Sequence, residues 1–418
     1  MSGRRARRRS SNLRRNRSSC RTAAALLLSL LLCALLGIVF GSPGAMAAAT
    51  GPPAPTGDAL VREQAGQLDT SQVEQYWTRL MQQYGGYFPE SRVPGFMELL
   101  TGGQQIQPGN MVMGLFRYLF HEILVSGKLL GSIIVLTVFS MMLETLQSSF
   151  ERNSVSKIAY TISFLVMIII AVNSFSIAIG YAKAAITDMI QFMLALVPLL
   201  LTLLASTGGV ASVTILHPMV VFMVHTIGTV VYIVIFPLLF FSAVLHIVSS
   251  ITDKYKVTQL ADLLRNVSIG ALGVFVTIFL GVISVQSAGG AIADGVAVKT
   301  AKYVTSTFVP VVGRMFSDAS DTVISASLLV KNAVGLSGVV VILLLCAFPA
   351  MKIITLALIY NVCAAVLQPL GTSPMIQCLQ TIGKSLVSVF AALAVVGLMF
   401  FLAITIIITA GNVTVMAR

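Results

Sequence analysis

Of the 418 residues, 56% are hydrophobic and only 10% charged, and the mean hydropathy is +0.92; ordinary soluble domains carry roughly 25% charged residues, so a soluble globular domain and a disordered chain are both excluded. The net charge of +12 is a local feature, because nine of the 27 basic residues are arginines between Arg4 and Arg21, no acidic residue precedes Asp58, and the rest of the chain carries only +3. A nucleic-acid partner is not indicated, and the composition reads as an all-α, polytopic membrane protein.

In chain order, residues 1–47 have the layout of a secretory signal peptide. The arginine cluster is followed by an apolar core from Ala23 to Phe40, then Gly41, Pro43 and the small-residue site Ala45-Met46-Ala47. The long core leaves an uncleaved first anchor as the alternative. Residues 48–120 are the one stretch of ordinary composition and read as a small extracytoplasmic helical module. Its helix runs from Leu68 to Tyr84, with Asp69 or Thr70 as N-cap, and Gly85-Gly86 ends it. Residues 121–288 are a transmembrane region, with apolar runs centred on 129–147, 158–180, 189–206, 213–248 and 267–288; two more, at 337–360 and 385–410, follow in the C-terminal transmembrane region 336–418. The run at 213–248 is either one long span kinked at Pro218 or Pro237, or two short spans about Gly228, so seven or eight spans are predicted. The Lys and Arg count, seven on the cytoplasmic side against five outside, favours the single span.

Residues 289–335 stand apart as too polar for an ordinary span and too regular for a loop. Val312, Met315, Ala319, Val323, Ala326, Val330 and Ala333 form one stripe, and Ala297, Ala301, Val304 and Phe308 another, so two amphipathic helices joined at Pro310 are predicted, interfacial, re-entrant or lining an aqueous path. Off these stripes lie the candidate path-lining or partner-facing residues Asp294, Lys299, Lys302, Arg314, Asp318, Asp321 and Lys331. Lys352, three residues after Pro349 in an apolar run, joins them because intramembrane charges line pathways or face other protein.

Signatures of membrane chemistry are weak. Gly335-Leu336-Ser337-Gly338 has the GxSG form of an intramembrane serine protease, but all four histidines, His121, His217, His225 and His246, precede Ser337, so a helix start with small residues is the plainer reading. Gly383-Lys384-Ser385 lacks the earlier glycine of a phosphate loop, which falls at Cys378. No HExxH occurs, the cysteines have no zinc spacing, and no catalytic residue, cofactor or metal is predicted. Ser176 with Gly180, Ala293 with Ala297, Gly208-Gly209 and Gly289-Gly290 suit close helix contacts and leave a homo-oligomer open.

Several segments resemble the stage III sporulation protein AE family of endospore-forming bacteria. They are Ser148-Ser149-Phe150 to Ser156-Lys157, Pro198 with Ser206-Thr207-Gly208-Gly209, Asp294-Gly295-Val296, Thr300-Ala301-Lys302, Phe308-Val309-Pro310-Val311-Val312-Gly313, Ser317-Asp318-Ala319 and Lys331-Asn332-Ala333-Val334-Gly335, with Pro237, Pro349, Lys352 and Gln368-Pro369. The arginine-rich leader and residues 102–110 fall outside the resemblance. It implies a multi-pass subunit, in the mother-cell membrane around the forespore, of a transenvelope, secretion-like channel complex. Sibling membrane and ring-forming proteins, a cytoplasmic secretion-type ATPase acting indirectly and a forespore partner are implied with it, and no catalytic residue. Two other readings stand beside it: a self-contained secondary transporter with Lys352 and Asp294 as coupling groups, motivated by the prolines at 198, 237 and 349, and a non-conducting scaffold.

Overall fold

A computed structural model describes residues 66, 69–88, 108–149, 154–251, 257–308, 312–370 and 374–416; the leader and its cleavage site lie outside the described residues. The described residues are almost all helical and contain no strand. In chain order the helices are α1 (Ser71–Tyr84), α2 (Pro108–Val125), α3 (Gly127–Ser149), α4 (Ser154–Ser206), α5 (Val210–Val230), α6 (Phe236–Ile251), α7 (Thr258–Phe308), α8 (Val312–Leu367) and α9 (Pro374–Met416).

Among the described residues, five helical segments are long and apolar enough to cross a membrane: 158–206, 210–250, 258–301, 322–367 and 374–412. A sixth candidate is the α2–α3 pair, bent by 41° at its junction. This is fewer than the seven or eight spans predicted, and the difference has a local cause. The apolar peaks at 158–180 and 189–206 are two halves of α4, because the polar stretch between them, Tyr181 to Asp188, is built on Ala182, Ala184 and Ala185 and holds no helix breaker. The run from Val210 to Ser250 is likewise one continuous candidate span, in line with the first of the two alternatives. A π turn, Val231–Ile235, joins α5 to α6 just before Pro237, and Ser268 of α7 donates to the Ile235 carbonyl at 3.2 Å, supplying a donor where the helical ladder is irregular.

The five long segments run up and down. Their near end holds the start of α4, the end of α6, the start of α7, the end of α8 and the start of α9; Ser249 Oγ lies 2.8 Å from Thr258 Oγ1 there. Their far end holds the α4–α5 turn, the end of α7, the start of α8 and the end of α9. Helix α9 is central, packing on α8, α7, α4 and α6. Its fully buried Leu393, Val396, Phe400, Ile404 and Ile407 form the middle of the core with Phe192, Leu196 and Leu200 of α4 and Val341, Ile342 and Phe348 of α8. Lipid would solvate any of these side chains as well as protein does, so their order reflects close packing more than exclusion of water.

The small module belongs to the same compact unit as the bundle. Helix α1 buries Val73, Trp77, Leu80 and Tyr84 and turns Glu74, Gln75, Thr78, Arg79 and Gln82 outward. Thr70, one of the two predicted caps, occupies the N-cap position, and the carboxylate of Asp69 before it accepts from Ser71 N at 3.2 Å and from Ser71 Oγ; both bonds hold its carboxyl below the usual range. Tyr76 meets Phe192 edge-on with ring centroids 5.8 Å apart, and Tyr84 stacks on Phe348 at 3.9 Å with its edge toward Tyr118 of α2.

Candidate functional site: two buried charges at a helix break

The polypeptide leaves α4 through Thr207-Gly208-Gly209. Gly208 has φ of 90°, a left-handed conformation that costs any other L residue about 1–2 kcal/mol. Gly209 then precedes α5 and carries no side chain to cap it, so the first amides of α5 need an acceptor from elsewhere. Asp294 of α7 supplies it. Its carboxylate accepts from Ala211 N at 2.8 Å, from Ser212 N at 3.1 Å and from Ser212 Oγ. Asp294 is 2% exposed, and the positive end of the α5 dipole lies against its negative charge. Gly290, one turn earlier on α7, makes the approach possible, since a Cβ there would sit 2.6 Å from Ser212 Oγ.

Lys331 is the second buried charge. It is fully buried on α8, and its Nζ donates to the carbonyl of Ile408 on α9 at 2.9 Å. Gly411, one turn further along α9, leaves the ammonium its space, because a Cβ at that position would overlap Nζ and lie 2.9 Å from Leu204 Cδ1. The same Leu204 packs where a Cβ on Gly209 would be, at 2.8 Å from its Cγ. Leu204 thus lies between the break at Gly209 and Gly411 beside Lys331, at the far end. The carboxylate is satisfied by α5, the ammonium by α9, and Lys331 is not among the groups that Asp294 binds.

In the segment 289–335 two helical stretches meet about Pro310, as predicted. They are the far ends of α7 and α8, with the joint falling between Phe308 and Val312. The predicted faces are partly reversed. Ala297, Ala301 and Val304 point outward, whereas Ser287, Gly290, Ala291 and Asp294 point inward. On α8, Ala326 and Val330 are buried as the stripe required, Ala333 is half-buried, Val323 is exposed, and Lys331 lies inside with the apolar residues. Lys299 is exposed; the side chains of Lys302, Arg314, Asp318 and Asp321 lie outside the described residues. Lys352 stands apart from the cluster, half-buried in mid-α8 with Nζ 4.9 Å from the Tyr181 ring centroid. Ser337 is buried inside α8 and does not start a helix.

Sequence reasoning selected Asp294 and Lys331 and missed what holds them: Ser212, the amide of Ala211, Gly290, Ile408 and Gly411. The Gly208-Gly209 break ahead of an apolar helix was a usable signal, since a helix start with no local cap requires a distant acceptor.

A bundle of long apolar helices whose buried charges, among the described residues, are received by a helix start or a backbone carbonyl defines a polytopic helical membrane protein. The family model for stage III sporulation protein AE matches residues 92–411. The stage III sporulation protein AE of Bacillus subtilis (strain 168) is 52% identical over 365 residues, covering 87% of this chain and 92% of that relative. The chain belongs to the stage III sporulation protein AE family and has a role in sporulation. No solved structure matches it.

Proposed function

We propose that this protein is a non-enzymatic membrane component of a transenvelope, secretion-like channel complex that operates between mother cell and forespore, lodged in the mother-cell membrane. One observation carries the proposal. The long segments contain 39 to 49 residues, whereas about 20 suffice to cross the hydrocarbon of a bilayer, so the bundle is built to reach beyond the bilayer and offer surface to other proteins. Sibling membrane and ring-forming proteins would dock there, with a secretion-type ATPase acting from the cytoplasm and no nucleic acid involved.

The transporter reading is the weaker one. A broken helix that points its N-terminus at an anionic substrate is a transporter device, but here Asp294 of the chain itself already occupies that end. A photo-crosslinking amino acid at exposed Ala288 or Lys299, activated in sporulating cells, should yield adducts with other membrane proteins made at the same stage. Adducts to lipid alone, together with solute uptake by the purified protein in liposomes, would reject the complex and favour the transporter.

A further inference from the structure

Two of the long helices outrun the rest of the bundle at its far end. On α7 burial stops at Asp294 and Gly295, and over 296–304 every described position is exposed except the half-buried Val298. On α8 burial begins only at Ala326; Thr322, Val323 and Ser325 before it are exposed. The stretches 296–308 and 312–325 are two helical arms, each about 20 Å long at 1.5 Å per residue. Although only residues 309–311 join them, α7 and α8 barely pack on each other, in contrast to the close packing of α8 on α9. The arms suit neither water nor lipid. Val296, Tyr303, Val304 and Val323 are large apolar side chains left outside the core, whereas a charge such as that of Lys299 beside them costs roughly 2.5–3.5 kcal/mol in hydrocarbon on insertion scales. A mixed surface of this kind is one that a protein partner covers.

The outward faces of the two helices match each other in spacing. On α7 the exposed row is Val274, Ile278, Val285 and Ile292, with Gly281 and Ala288 at the intermediate steps. On α8 it is Thr322, Ser325, Leu329 and Leu336, with the half-buried Asn332 between the last two. Both rows advance by alternating steps of three and four residues, the period of helices that pack along their length. Because α7 and α8 run in opposite directions from the joint at Pro310, residues equally far from it in sequence stand at about the same height. Ile292 lies 18 residues before Pro310 and Leu329 lies 19 after it, and Val285 and Leu336 lie 25 before and 26 after. The charges follow the same rule: Lys302 and Asp318 are each eight residues from Pro310, and Lys299 and Asp321 each eleven. Beyond Asp294 the α7 arm carries only these two lysines, and the α8 arm carries the two aspartates against the single Arg314. Lys299 makes no ion pair among the described residues.

We propose that a second copy of the same chain covers these faces, the outward row of α7 in one copy packing antiparallel on the outward row of α8 in the next. Within one chain the two rows stay exposed and apart, so their match is unused there. Copies related by rotation about an axis along the bundle keep every residue at its height. Ile292 then meets Leu329, Val285 meets Leu336, and the basic arm of one copy meets the acidic arm of its neighbour, which fixes the register. The contact joins two different patches, so it repeats from copy to copy and closes into a ring. This deepens the proposed function and rests on it, since the ring is the part of the complex that this chain makes by itself. A photo-crosslinker at Lys299 then yields adducts with the chain itself as well as with other membrane proteins.

The test uses the full chain with its five cysteines replaced by alanine, in two differently tagged forms expressed together. One form carries Ile292→Cys and the other Leu329→Cys, both at exposed positions. Oxidation by copper–phenanthroline in membranes should give a disulfide-linked pair that contains both tags. The yield should fall several-fold when Leu329→Cys is exchanged for Leu336→Cys, about 10 Å further along α8. Either form alone should stay single. Lys299→Glu in the first form should cut the yield several-fold, and Asp321→Lys in the second should bring it back, which a pairing within one chain could not do. The proposal is overturned by the absence of a mixed pair, by equal yields at the two registers, or by crosslinking of either form alone. A yield untouched by Lys299→Glu, or not rescued by Asp321→Lys, overturns it as well. Failure of the wider reading looks different: a ring that forms with no other membrane protein bound keeps the seam and loses the complex, whereas a single chain crosslinked at Lys299 to other membrane proteins keeps the complex and loses the seam.

Discussion

Asp294→Ala is the most informative single change. It removes the acceptor for two amides and one hydroxyl at the start of α5, in a place where Ser212 is fully buried and Asp294 is 2% exposed. A lost cap costs about 1 kcal/mol, and each buried donor left without a partner costs about 1–3 kcal/mol. Allowing for partial relaxation at the partly exposed Ala211, the expected loss is about 3 kcal/mol. Asp294→Asn keeps one carbonyl oxygen for the amides and loses the charge facing the helix dipole, so about 1 kcal/mol is expected. Ser212→Ala removes only the hydroxyl, and in the Asp294→Ala background it should add almost nothing. Thermal unfolding can be followed with a thiol-reactive fluorophore, since Cys346, Cys363 and Cys378 are buried in the native bundle. Cys20 and Cys33 would first be replaced by serine. The order of melting should be wild type, Asp294→Asn, Asp294→Ala. Equal melting of wild type and Asp294→Ala, or equal damage by Asn and Ala, would refute capping as the role of this carboxylate.

Gly411→Ala places a methyl where the Lys331 ammonium sits and should destabilise by about 1–3 kcal/mol by breaking its bond to the Ile408 carbonyl. Lys331→Met should restore most of that loss in the double variant, because an apolar chain of similar length needs no acceptor; the same thiol-labelling melt reads it, and no rescue would separate the two residues. Tyr84→Ala removes the ring stacked on Phe348 and should cost about 3 kcal/mol of α1 docking. Trp77, 4% exposed and the only tryptophan, should then shift its emission to the red and become accessible to iodide while the bundle still melts as before; an unchanged spectrum would show that α1 is held by other contacts. The Tyr84 hydroxyl is pushed up to about 12, first by burial and then by the Asp188 charge, so docking favours its neutral form. That contribution should be intact below about pH 10 and lost as pH rises toward 12, read as a red shift of Trp77 that Tyr84→Phe abolishes.

Where contrast exists in the sequence it was informative. Helix α1 alternates Val73, Trp77, Leu80 and Tyr84 with polar residues and ends at Gly85, and its bounds agree with the sequence to within a few residues. In the long helices most residues are apolar on every side, so the pattern carries little information about which face turns inward. That is why Ala297, Ala301 and Val304 read as a buried stripe although they face out, and why the polar stretch in α4 read as a gap between two spans.

By itself the sequence determined the all-helical membrane class, the helix ends at Gly208-Gly209 and near Pro310, and the few charges in apolar surroundings, because composition and backbone chemistry act locally. Only the tertiary structure decided what those charges do. Asp294 meets Ala211 across 83 residues of chain, and Lys331 meets Ile408 across 77. Such pairings follow from the register of packed helices, and in an apolar medium that register is set by the fit of small residues such as Gly290 and Gly411 rather than by any periodicity along one helix.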